Sequence, residues 1–101
     1  MPYEILTSVL TELILKIMAT VKLTAEASEQ LVKSPKAMHE RITKMLARLE
    51  AWPTVGGVKM LKGNLAGWYR AQVGDYRIRF TVEGEILTVD KIGHRKDVYE
   101  N

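Results

Sequence analysis

The sequence has no cysteine, only one phenylalanine, two histidines and three prolines. Without cysteine the chain can form neither a disulfide nor a thiolate-bound metal site. His39 and His94 stand far apart in sequence, so an imidazole-based metal site is not expected, and the reading is of no metal and no cofactor. Long hydrophobic runs are missing as well. The most apolar stretch, MPYEILTSVLTELILKIMAT, is too short to span a bilayer and is interrupted by Glu4, Glu12 and Lys16. It also lacks the basic start of a secretory signal. A cytoplasmic protein with no membrane partner is expected. Charge of one sign is in modest excess: the net charge is +3. That permits a nucleic-acid partner without requiring one, so the placement of the cations matters more than their sum.

What is present fits one domain of 101 residues, with 47% hydrophobic residues to build a core. The chain divides at WPTVGG (52–57), where Pro53 ends a helix and Gly56-Gly57 permits a change of direction. Before it, Leu6, Leu10, Leu13 and Ile17 recur at helical spacing and predict an amphipathic helix over residues 4–19. TVKL (20–23) reads as a short strand. Thr24 is placed to cap a helix running to Lys33, and Ser34-Pro35 to start another. Met38, Ile42, Met45, Leu49 and Trp52 form the buried stripe of that last helix, with the methionines as core filler.

After Gly57 the period becomes two. VKML (58–61), GWYRAQV (67–73), YRIRFTV (76–82) and EILTVDKI (85–92) read as strands, with two-residue turns at Gly74-Asp75 and Glu83-Gly84. The predicted class is α+β: helices on one face of an antiparallel sheet of about four strands.

The first hairpin raises a question. Its register sets Tyr69, Ala71, Val73, Tyr76, Ile78 and Phe80 on a core face, and Arg70, Gln72, Arg77 and Arg79 on the other. Arg70 then stands opposite Arg79, and like charges so placed destabilise a sheet. Carried through the second turn, the register sets Phe80 against Leu87, Ile78 against Val89, Arg77 against Asp90 and Arg79 against Thr88. A solvated face with an Arg77–Asp90 pair is the plain explanation. Three arginines behind a well-formed core face favour an anion site instead, because guanidinium forks bind phosphates bidentately and keep their charge. In the tail KIGHRKDVYEN, Arg95 and Tyr99 are four apart, and an aromatic beside arginines suits stacking on a base.

The stretch LKGNLAGWYRAQVGDYRIRF followed by DKIGHRKDVYE resembles the RelE/ParE toxin superfamily, and within it the RelE-type messenger-RNA endonucleases. The resemblance runs from about Val21 to the C-terminus. It implies a toxin domain at 18–101, with residues 1–17 as an extra amphipathic helix available for homodimer contacts. It also implies a cognate antitoxin and ribosome-dependent, metal-independent cleavage of messenger RNA. In that chemistry a ribose 2′-OH attacks the adjacent phosphate. Arg70, Arg77, Arg95 and Tyr99 match the family's catalytic positions. Gln72, Arg79, His94 and Lys96 are the accompanying RNA-binding candidates, Gln72 standing where the family often has a second basic residue. His94 is the imidazole candidate for a base. A ParE-type DNA gyrase inhibitor and a non-catalytic relative are the alternatives.

Overall fold

The computed structural model describes residues 9–10 and 18–98. The expected helix over 4–19 and the domain division at residue 17 therefore lie almost wholly outside the described residues. Val9 and Leu10 are helical, and Leu10, on the expected apolar stripe, is 55% exposed.

The described chain runs β1 (Thr20–Leu23), α1 (Ala25–Lys33), α2 (Lys36–Arg48), β2 (Val58–Met60), β3 (Trp68–Val73), β4 (Tyr76–Glu83) and β5 (Ile86–His94). The sheet has five strands in the order β1-β5-β4-β3-β2, the four of the second half and TVKL. The last four form an antiparallel meander. TVKL joins them as β1, parallel to β5, with Val21 beside Leu87 and Leu23 beside Val89. A parallel partner needs a long crossover, and everything between β1 and β5 supplies it.

Local chemistry accounts for the helix ends. Thr24 accepts the Ala27 N–H at 3.1 Å and caps α1. Ser34 does not cap α2 as expected. Its hydroxyl donates to the Leu31 carbonyl at 2.6 Å and so closes α1, while Pro35 precedes α2 with no side-chain cap. β1 covers β5 only as far as Val89. Beyond that point α1 guards the open strand edge: Gln30 Oε1 accepts the Ile92 N–H at 2.7 Å.

The core lies between the helices and one sheet face. Ile42, Met45, Leu46 and Leu49 from the α2 side meet Ala71, Ile78, Phe80, Leu87, Val89 and Ile92. Phe80 is fully buried. Trp52 packs edge-on to its ring at 5.4 Å and Tyr69 stacks on it at 5.5 Å.

The β3–β4 register matches expectation throughout, from Val73 opposite Tyr76 to Arg70 opposite Arg79. The β4–β5 register does not. Gly84 has φ +61° and Glu83 faces Ile86, so the turn residues are Gly84-Glu85 rather than Glu83-Gly84. The positive φ belongs at the first central position, where a type II′ turn takes glycine. Phe80 consequently faces Val89. Next to it Arg79 faces Lys91, which leaves Asp90 as the extra residue of a β-bulge. The bulge reverses the alternation of β5. Val89 and Ile92 both reach the core, and Lys91 turns to the opposite face.

Candidate nucleic-acid interface

Side chains of directly opposed residues share a face. Lys59 stands opposite Arg70, Arg70 opposite Arg79, and Arg79 opposite Lys91. Four cations therefore form one row across β2, β3, β4 and β5, on the face away from the helices. Three inter-strand steps make the row about 14 Å long. A second row toward the β3–β4 turn holds Gln72, Arg77 and Gly93.

Asp90 is an acid set among these cations. Arg79 Nε donates to Asp90 Oδ1 at 3.0 Å, and Arg79 Nη2 to Oδ2 at 2.5 Å. The two side chains are only 11% and 21% exposed, and the Arg79 guanidinium lies 4.8 Å from the Trp68 ring centre. The hydrogen bonds that Arg79 donates to Asp90 raise its pKa further despite its burial, so Arg79 is a fixed charge. The expected Arg77–Asp90 pair is thus replaced by Arg79–Asp90, because the shifted β4–β5 turn moves Asp90 along the ladder from Arg77 to Arg79, where the bulge leaves it as the extra residue.

Arg77 is placed differently. Its Nη1 donates to the carbonyls of Gly74 and Tyr76, both at 3.0 Å, which draws its guanidinium to the hairpin tip. Arg95 arrives at the same tip from the tail: its N–H donates to the Asp75 carbonyl at 2.7 Å, and its Nε is 3.9 Å from Asp75 Oδ1. Arg70 lies one row away, with Nη1 donating to Gln72 Oε1 at 3.1 Å. Arg70, Gln72, Arg77 and Arg95 are therefore gathered at one end of the sheet. Tyr99 lies outside the described residues.

His94 belongs elsewhere. It stands opposite Tyr76 on the helix-facing side, with the two rings edge-on at 5.9 Å. It borders a cavity of about 260 Å³ together with Gln30 and Lys33. Its Nδ1 accepts the Lys96 N–H at 3.2 Å, and Lys96 is exposed in the turn that follows. The expectation of His94 as a base on the arginine face is corrected by this alternation. Among the described residues no group of three or more His, Cys, Asp or Glu side chains could hold a metal.

Lys59, Lys91 and Trp68 were not anticipated on this surface. Pairing VKML with the first hairpin strand would have exposed Lys59. Strict alternation hid Lys91, because it assigned that side chain to the core.

A helix-backed sheet with a cationic outer face is an α+β architecture whose outer surface suits a polyanion. The comparisons make the class specific. Residues 21–99 match the model of the ParE toxin of type II toxin-antitoxin systems, and the chain belongs to that family. Among curated proteins none matches in sequence. The fold is similar to that in a RelBE toxin–antitoxin complex from Mycobacterium tuberculosis, at 24% identity and TM-score 0.69, covering 78% of this chain and 100% of that one. It is also similar to an archaeal RelE–RelB complex from Pyrococcus horikoshii, at 26% identity and TM-score 0.65, covering 80% and 99%. The isolated RelE toxin of E. coli gives 16% identity and TM-score 0.63 over 75% and 83%.

Proposed function

We propose that this toxin cleaves messenger RNA on the ribosome and is silenced by a cognate antitoxin, as a cytoplasmic protein. The observation that carries the reading is the row Lys59–Arg70–Arg79–Lys91, continued at the hairpin tip by Arg77 and Arg95. Aligned cations cost a sheet stability, and an RNA backbone is the ligand that reverses the cost.

In this reading the strand lies across the sheet face, held through its phosphates. The 2′-OH of one nucleotide attacks the adjacent phosphorus as its proton passes to solvent water, and the 5′-oxygen of the next nucleotide leaves and takes a proton from water. The products are a 2′,3′-cyclic phosphate and a 5′-OH. Arg70, Arg77 and Arg95 stabilise the charge that develops on the phosphorane oxygens. Arginine hardly deprotonates, so these residues contribute charge and orientation rather than base catalysis. Gln72 orients Arg70 through their hydrogen bond. Arg79, held by Asp90 and Trp68, fixes the floor of the site. Tyr99, four residues past Arg95, is assigned stacking and hydrogen bonding to a base. Antitoxin partners in the similar complexes support a cognate antitoxin for this chain.

Incubation with translating ribosomes, followed by mapping of message ends, tests the proposal. New 5′-OH ends within the decoded codon are expected. Intact messages would overturn it. Two observations favour a second reading, inhibition of DNA gyrase: the matching family model is that of ParE, and Gln72 is uncharged. A supercoiling assay decides that case.

A further inference from the structure

The groove between the C-terminal half of α2 and the end of β3 is cationic, with a volume of about 350 Å³. Arg41, Lys44 and Arg48 recur at spacings of three and four and so form one exposed stripe along α2, about 10 Å long. Opposite them lie Gln72, Val73 and Gly74. A Cβ added to Gly74 would come within 3.1 Å of Arg41 Nη1, so that guanidinium lies directly over the hairpin tip.

The stripe is poorly compensated. Among the described residues no carboxylate lies within ion-pair distance of Arg41 or Arg48. Their Nη1 atoms instead approach the Met38 and Met45 sulfurs, each at 3.7 Å. Lys44 has only an exposed pair with Glu40 at 3.4 Å, worth little. Neighbouring cations on one helix face repel, and the helix gains nothing from them.

Gly74 joins this stripe to the sheet face. Arg77 reaches the Gly74 carbonyl from the sheet side, and Arg41 covers the same residue from the helix side. Gly74 offers no side chain to separate the two. We infer that the α2 groove is an outlying phosphate site, which holds the RNA backbone as it leaves the sheet face around the β3–β4 turn. This inference rests on the RNA reading given above. Regularly spaced guanidinium groups suit a repeating anion, and contacts of this kind position a strand without reading its sequence. An acidic protein segment is less suited, because the groove wall has few apolar anchors beyond Met45 and Val73.

The test uses the full chain and 2′-O-methyl RNAs, which bind but offer no attacking hydroxyl. A tetranucleotide fits the sheet face, and a dodecanucleotide also reaches α2. Affinities are measured by fluorescence anisotropy over a range of KCl concentrations. Arg41→Gln with Arg48→Gln should leave tetranucleotide affinity and thermal melting unchanged. It should abolish the gain in affinity with length and lower the salt slope for the longer RNA by about 1.4, at about 0.7 per single-strand phosphate contact. An undiminished length gain and salt slope would overturn the inference and leave the RNA reading standing. The same holds if the variant loses affinity for the antitoxin alone, which would assign the groove to a protein partner. Failure of the unsubstituted chain to bind either RNA would instead overturn the RNA reading itself.

Discussion

Arg79 grips both carboxylate oxygens of Asp90 across the β4–β5 bulge, and the pair is largely shielded from solvent. The bulge and the ion pair support each other. The extra residue tilts Asp90 out of the ladder, and Arg79 gives the displaced carboxylate a partner. Asp90→Ala should therefore leave a shielded cation uncompensated and lower stability by about 3 kcal/mol. Replacing both partners with Leu or Met of similar bulk should recover most of that loss. Urea unfolding of the single and double variants measures both effects, and a near-zero effect for Asp90→Ala would mark the pair as a surface contact.

Phe80 sits where the aromatic cluster meets the aliphatic core. With no exposed surface and ring contacts to Trp52 and Tyr69, Phe80→Ala should cost roughly 3–5 kcal/mol. Chemical denaturation gives the value. A cost below about 1 kcal/mol would mean that the neighbouring rings collapse into the space.

Because Asp90 belongs to Arg79, Arg77 does not serve as its ion-pair partner, and among its contacts are the two carbonyls at the hairpin tip. Arg77→Ala should change stability by about 1 kcal/mol, the scale of its hydrogen bonds. Under the RNase reading it should lower ribosome-dependent cleavage by roughly a hundredfold or more, as expected for loss of one preorganised donor. Full cleavage by an Arg77→Ala, Arg95→Ala double variant would remove both from the reaction.

Gly93 stands opposite Arg77, and a Cβ there would meet Val98 Cγ2 at 3.3 Å. Val98 is 5% exposed and begins the segment that leads to Tyr99. Gly93→Val should push the tail off the sheet, costing about 1–3 kcal/mol by overpacking. It should also accelerate hydrogen exchange over residues 94–98. Unchanged exchange would show that the tail docks without this contact.

The family match begins at residue 21, and the packed core of the described chain draws on residues 19–92. A chain lacking residues 1–17 should keep a single cooperative unfolding transition in circular dichroism. Loss of cooperativity would make the leading segment part of the core.

The sequence by itself determined the class of elements, their order and the first hairpin. Tyr69, Ala71, Ile78 and Phe80 are locally patterned, and one glycine turn joins their strands, so alternation alone sets Arg70 beside Arg79. Tertiary structure decided the rest. Alternation assumes an unbroken ladder, and the bulge at Asp90 breaks it for reasons that involve a residue eleven positions away. That one insertion brought Lys91 onto the cationic face and carried Ile92 into the core, while the shifted β4–β5 turn exchanged the partners of Asp90. The same holds for TVKL. Its strand character is readable in four residues, but its parallel seat beside β5 depends on the whole intervening chain folding back. His94 shows the limit most directly. Its sequence neighbour Arg95 reaches the hairpin tip, yet the pleat turns the imidazole toward Tyr76, because consecutive strand residues point to opposite sides.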